Sequence, residues 1–130
     1  MTSLTPGQVA DLTGVSVDTV RRWSDDGRLA TSRDARGRRS IDGADLARFL
    51  VDQAGTGGPP TGLSARNRFR GIVTRVTRDG VAATVEIQAG PHRIVSLITS
   101  EAVDELGLAP GIIADAAVKA TDVMVDVAPL

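Results

Sequence analysis

Ser64-Ala65-Arg66-Asn67 puts a hydroxyl, a guanidinium, a side-chain amide and backbone N–H groups within four residues. Such a density of hydrogen-bond donors suits the grip of an oxyanion, whose oxygens only accept. Far along the chain stands Lys119, the only lysine among 15 Lys and Arg residues. A compact ammonium offers three donors to a tetrahedral anion without the planar preference of guanidinium. A third concentration of chemistry runs from Arg21 to Arg39, where Arg21, Arg22, Arg28, Arg33, Arg36, Arg38 and Arg39 face only Asp25, Asp26 and Asp34. This local positive excess is concealed by an overall formal charge of -1, and it is the charge pattern that phosphate backbones attract.

Catalysis finds no candidates, since the chain has no carboxylate pair, no nucleophile beside a base and no phosphate-binding loop, so an enzyme is not expected. His92, the single histidine, follows Pro91 in a turn and reads as a surface residue. Cysteine is absent, which removes disulfides, thiol chemistry and zinc ribbons and agrees with a reducing cytoplasm. No residue set calls for a directly ligated metal cation. Neither a signal peptide nor a membrane-length apolar run is seen, so a cytoplasmic protein with no membrane partner is expected.

The 130 residues divide by composition into two small domains. In the first, residues 1–53, Thr5 and Pro6 form a cap and first-turn pair that opens a helix to about Thr13, with Val9, Leu12 and Thr13 on one face. Gly14 stops it, and Ser16 caps a second helix with Thr19 in its first turn. Val20 and Trp23 point to the core, while Thr19, Arg21 and Arg22 lie outside. Two short helices joined so tightly make a helix-turn-helix, whose outer face can enter a major groove. A β-hairpin around Asp34 to Gly37 would carry Arg at its tip and lie along phosphates or dip into a minor groove. Asp42 caps a third helix from Gly43 to about Asp52, packed through Leu46, Phe49 and Leu50.

Residues 54–62 are nearly all Gly, Pro, Thr and Ala and read as a linker. In residues 63–130, a strand over Arg68 to Thr77 is followed by the Asp79-Gly80 turn signal and by the alternation of Val81, Ala83, Val85 and Ile87 inward with polar residues outward. A third strand runs from His92 to Thr99 with apolar residues on both faces, which points to a subunit interface covering one of them. A short helix from Ser100 to Gly107, an alternating strand from Ile112 to Ala120 with Lys119 outward, and a last strand at Val123-Met124-Val125 complete the pattern. The fold class is therefore α+β: a winged helix-turn-helix, then an OB-like five-stranded β-barrel with one short helix. With aromatics at 2%, cores this small favour oligomerisation.

The stretches Leu4-Thr5-Pro6-Gly7-Gln8-Val9-Ala10, Gly14-Val15-Ser16, Thr19-Val20-Arg21-Arg22-Trp23 and Gly27-Arg28-Leu29 resemble the winged helix-turn-helix of MerR-type and excisionase-type DNA-binding proteins. The long dimerisation helix that follows this module in full-length MerR-type regulators is missing. The resemblance implies double-stranded DNA as partner, met by Ser16, Thr19, Arg21, Arg22, Arg33, Arg36, Arg38 and Arg39. Arg28 and Arg48 read as surface or ion-pair residues.

The second half, through Leu63-Ser64-Ala65-Arg66-Asn67, Gly71-Ile72-Val73, Ile98-Thr99-Ser100-Glu101-Ala102-Val103 and Val118-Lys119-Ala120-Thr121-Asp122, resembles the Mop, or TOBE-type, domain of molbindins and molybdate-responsive regulators. That resemblance implies molybdate or tungstate bound at subunit interfaces, in dimers or in hexamers built from them. It assigns the oxyanion to Ser64, the Ala65 and Arg66 backbone, Thr99, Lys119 and the Ala120 amide. Asn67 reads as structural. The family often has Ser where this chain has Ala102, so one hydroxyl is absent here. Together the two resemblances imply an oxyanion-responsive transcriptional regulator. The alternative is a molybdate storage or buffering oligomer with the helix-turn-helix as an accessory interaction module.

Overall fold

The computed structural model describes residues 2–54 and 63–129. The chain forms two compact units, Met1–Pro60 and Thr61–Leu130. Of the expected linker, residues 55–62 lie outside the described residues; Ala54 is the last residue of a helix.

In the N-terminal unit β1 (Ser3–Leu4) leads into α1 (Pro6–Thr13), α2 (Val17–Asp25), β2 (Ser32–Arg33), β3 (Arg39–Asp42) and α3 (Gly43–Ala54). Local chemistry starts and stops these helices. The Thr5 hydroxyl accepts from the Gln8 N–H while the Gln8 side chain accepts from the Thr5 N–H, a reciprocal capping box. Gly14 ends α1 at φ 74°, a left-handed conformation that costs a residue without Cβ nothing. Ser16 then caps α2 by accepting from the Thr19 N–H at 3.1 Å. β3 pairs with β1 on one side and β2 on the other, so the hairpin rests on only two ladder pairs, Ser32↔Ser40 and Arg33↔Arg39.

Val9, Ala10, Val20, Trp23, Leu29, Ile41, Leu46 and Phe49 form the core of this unit, with the Trp23 and Phe49 rings 4.8 Å apart. Two expected core residues fall outside it. Leu12 is exposed, with small Ala10 buried in its stead on α1, and Leu50 of α3 is also exposed, while Leu46 and Phe49 are buried. Helix α3 also runs two residues beyond its expected end.

The C-terminal unit is one antiparallel sheet in the order β6-β5-β4-β7. Its strands are β4 (Asn67–Asp79), β5 (Ala82–Ala89), β6 (His92–Thr99) and β7 (Ile113–Val118), with α4 (Ser100–Leu106) between β6 and β7. β4 is long enough to serve two partners. Asn67 to Ile72 pair with β7, Ile72 to Asp79 pair with β5, and a register shift falls between Val73 and Arg75. This handover curls the sheet, and Val73, Ala83, Val85, Ile87 and Val103 of α4 fill its concave face.

Four strands, not five, make this sheet among the described residues. Lys119 lies beyond β7, and a 3₁₀ turn at Ala120–Asp122 interrupts the strand direction. Val123-Met124-Val125, expected as a strand, has no ladder partner; Met124 is 94% exposed. A strand needs a neighbour to satisfy its backbone, and the edges of β6 and β7 are not joined to it. Val81, expected inward, sits instead in the hairpin turn and is 82% exposed. Ile112, also expected inward, precedes β7 and is exposed. Among the described residues no helix is long and apolar enough to cross a membrane.

Candidate functional site

Two sites emerge, one in each unit. In the C-terminal unit the Asn67↔Val118 pair closes the β4–β7 ladder, and the Asn67 side-chain amide donates to the Val118 carbonyl at 3.0 Å. Asn67 is thus structural, as its sequence context implies. Because Ser64-Ala65-Arg66 enters β4 where Lys119-Ala120 leaves β7, the pairing brings these two segments to the same end of the sheet. Ser64, Arg66, Lys119 and Ala120 are exposed there and Ala65 is half-buried. The Arg66 guanidinium turns back to donate to the Ser64 carbonyl at 3.0 Å, bracing the segment. Ala120 opens the 3₁₀ turn, so its N–H has no partner within that turn.

Lys119 has no ion-pair partner among the described residues, whereas its neighbours on the sheet are neutralised. Asp115 accepts from Arg70 Nε at 2.9 Å and from Arg68 Nη2 at 3.1 Å. Those two guanidiniums, Arg70 first, hold the Asp115 carboxyl down at about 2 from its ordinary 3.8. A depressed folded-state value means that this contribution to stability is complete above pH 3.8 and disappears as pH falls through about 2. Thermal unfolding of the C-terminal unit should therefore weaken between those pH values in the native chain, and the weakening should be smaller in Asp115→Asn.

Thr99 does not join this group within one chain. It pairs with Ala82, which is itself paired with Asp79 at the opposite end of β4. The 13 residues of β4 span on the order of 40 Å of strand between Asn67 and Asp79. There the Thr99 hydroxyl caps α4, accepting from the Ala102 N–H at 3.0 Å. Within one chain the sheet register therefore separates Thr99 from Ser64 and Lys119.

In the N-terminal unit, Arg21, Arg33, Arg38 and Arg39 border one cleft of about 640 Å³, together with Ser3 and Thr5. Ser16, Thr19, Arg22 and Arg36 do not line it. Ser16 and Thr19 hydroxyls lie 2.9 Å apart at the start of α2. Asp34, to which the sequence assigns no functional role, organises the hairpin turn. One of its carboxylate oxygens accepts from the Arg36 and Arg38 N–H groups, and the other accepts from Arg38 Nε. The Arg38 backbone bond is the main cause of a lowered Asp34 pKa. The signal was readable: Asp three residues before Gly37 is a turn in which the side chain caps its own backbone. Arg39 is turned inward, to Asp25 and to the Arg21 carbonyl. Arg48 pairs with Asp45, and the Arg28 guanidinium lies 6.0 Å from the Phe49 ring centre, so both are surface packing residues.

Comparison with known proteins gives a separate match in each unit. Residues 63–125 match the TOBE domain family and residues 5–41 match the MerR family regulatory protein family. The chain is 41% identical over 64 residues to molybdenum-pterin-binding protein 2 of Clostridium pasteurianum, covering 48% of this chain and 94% of that protein. It is 44% identical over 66 residues to the molybdenum transport protein ModE of Herbaspirillum seropedicae, covering 50% of this chain and 24% of ModE. Among solved structures, MopII from Clostridium pasteurianum aligns at 39% identity and a TM-score of 0.48, covering 51% of this chain and all of MopII. A molybdate binding protein from Sporomusa ovata aligns at 31% identity and a TM-score of 0.48, covering 50% of this chain and 97% of its own. Over its C-terminal unit the chain belongs to the TOBE-domain family of molybdenum-pterin-binding proteins, and a MerR-type helix-turn-helix segment precedes that domain.

Proposed function

We propose that this chain is a molybdate- or tungstate-binding, DNA-binding transcriptional regulator of the cytoplasm. Residues 1–53 are its DNA-binding domain, 54–62 a linker and 63–130 its oxyanion-binding domain. The observation that carries the reading is Lys119: the sole lysine, free of any described carboxylate, beside the Ser64–Arg66 donors at one end of the sheet. A dianion needs neutral donors and a cation together, and this end of the unit supplies both. The names of the relatives, a molybdenum-pterin-binding protein and ModE, support molybdenum as the bound element.

Ser64, the Ala65 and Arg66 N–H groups, Lys119 and the Ala120 N–H form one half of the oxyanion site, and Thr99 of a second copy supplies the other. The separation of Thr99 along β4 supports this sharing. So does the exposed apolar surface of Val95, Leu97, Ile113, Met124, Val125 and Val127, which a homo-oligomer would cover. The anion can change DNA affinity only by favouring one arrangement of copies over another.

On the DNA side, Thr19 and Arg22 of α2 face the major groove with Ser16 and Arg21, while Arg33, Arg36 and Arg38 of the hairpin follow phosphates. Arg22 and Arg36 have no ion-pair partner among the described residues. Replacing Arg36, the hairpin member of this pair, by Gln should lower the slope of log affinity against log salt by about 1, since each phosphate no longer neutralised reduces it by roughly 0.9. An unaltered slope would place the phosphate contacts elsewhere.

Titration calorimetry with molybdate against sulfate tests the anion half. Binding to a short mixed-sequence duplex at low salt, with and without molybdate, tests the rest. Molybdate heat without DNA binding in either state would favour the storage reading. That reading draws on the chain's covering 94% of a small molybdenum-pterin-binding protein.

A further inference from the structure

Arg39 lies two residues before Ile41, which is wholly buried, so the alternation of β3 directs both side chains to the core face of the hairpin. Its side chain is accordingly 21% exposed, against 68% for adjacent Arg38. There the guanidinium spans two acceptors on α2: Nη2 lies 2.9 Å from an Asp25 carboxylate oxygen, and Nη1 donates to the Arg21 carbonyl at 3.2 Å. Asp25 is the last residue of α2, and Arg21 is on the same helix one turn earlier. The hairpin needs such a support. It has two ladder pairs, and one of them sets Arg33 directly opposite Arg39, two like charges across a strand pair. The third strand, β1, pairs only with Ile41 and Asp42, so the hairpin from Arg39 to its tip is a two-stranded ribbon, which is marginal by itself.

We infer that Arg39 is a positioning residue, a brace through Asp25 and the Arg21 carbonyl that fixes the Arg-bearing β2–β3 hairpin against the C-terminal half of α2. The inference rests on the DNA-binding reading for its consequence, though not for the brace itself. Arg36 and Arg38 are carried by the hairpin, and Thr19 and Arg22 by α2. Both sets can meet one duplex only if the angle between hairpin and helix is held, and a hairpin left loose must be ordered at the moment of binding. Asp25 also offsets the repulsion between Arg33 and Arg39, so the acidic partner is as necessary to the brace as the basic one.

The sign of one substitution separates this role from plain electrostatics. Removing a carboxylate from a basic, DNA-facing surface ordinarily strengthens binding. Asp25→Asn in the full chain is expected instead to weaken binding to a short mixed-sequence duplex at low salt by on the order of five-fold. Its salt slope should stay unchanged, because the residues that meet phosphates are all retained. Arg39→Ala should weaken binding similarly, the double variant should be no weaker than the worse single, and Arg39→Lys, which reaches one acceptor, should restore part of the loss. Without DNA, amide exchange at Ser32 to Ser40 should quicken in Asp25→Asn and Arg39→Ala while exchange in α1 stays as it was. Tighter DNA binding by Asp25→Asn, or hairpin exchange as slow as the native rate in both variants, would overturn the brace. If the native chain ignores DNA at low salt, the regulator reading fails, and the exchange rates still decide whether Arg39 holds the hairpin.

Discussion

Lys119→Ala should lower molybdate affinity by roughly ten- to a hundred-fold, the worth of a charge-assisted hydrogen bond, with little change in folding stability. The asymmetry follows from where Lys119 sits. It lies one residue beyond β7, exposed, without a described ion-pair partner, and with no part in either core. Substitutions at such surface positions ordinarily move stability by no more than about 0.5 kcal/mol. For a dianion, by contrast, it is the cation at that end of the sheet whose side chain has neither an ion-pair nor a hydrogen-bond partner among the described residues. Arg66, the other cation there, is turned to the Ser64 carbonyl, and Arg68 and Arg70 are engaged by Asp115. Lys119→Arg should recover only part of the loss, since a planar fork matches a tetrahedral oxyanion less well than an ammonium. Calorimetry with molybdate, paired with thermal unfolding of the same samples, reads both quantities. An isotherm unchanged in Lys119→Ala would defeat the assignment of the site.

Gly71→Ala is expected to destabilise the C-terminal unit by about 3 kcal/mol, at the upper end for overpacking. Gly71 stands where β4 passes from β7 to β5: it is paired with Ala114, and its neighbour Ile72 pairs with both Ile113 and Gln88. A Cβ there would lie 2.3 Å from the Gln88 carbonyl oxygen, 2.8 Å from its carbon and 2.9 Å from Ile87 Cγ2. Two of these atoms are backbone and cannot rotate aside, so β4 and β5 would have to part at the point that sets the curl. The constraint is space, not backbone conformation, since Gly71 is not among the positive-φ glycines. Urea unfolding can resolve the effect from the rest of the chain, because Trp23 is the single tryptophan and belongs to the N-terminal unit. The circular dichroism transition of the sheet should move to lower urea while the Trp23 fluorescence transition stays in place. A sheet transition at the native midpoint would show that the strands can give way.

The helix-turn-helix was legible almost to the residue, and the reason is its locality. Thr5 with Gln8, Ser16 with Thr19, and Gly14 at the end of α1 act over three or four residues, the distance over which a sequence can be read directly. The same holds for β5, whose two-residue alternation buries Ala83, Val85 and Ile87. Legibility failed where a residue's environment is set by a distant segment. Leu12 has the spacing of a core residue, but Ala10 is buried in its stead. Val123-Met124-Val125 has the composition of a strand, yet a strand exists only with a ladder partner, and composition names none.

For the sites the division is the same. The donor types at Ser64, Arg66 and Lys119, the lone lysine and the basic run from Arg21 to Arg39 are properties of the sequence by itself, and they set the chemistry to be expected of each half: an oxyanion for the C-terminal, phosphate for the N-terminal. Tertiary structure alone decided which of those groups meet. Register pairs Asn67 with Val118 and so unites Ser64 with Lys119 across some fifty residues of chain, and it sends Thr99 to the far end of β4. Packing turns Arg39 to Asp25 and Arg68 to Asp115. A charge is written in the residue, whereas its partner is chosen by the non-local pairing that closes the sheet and seats the hairpin.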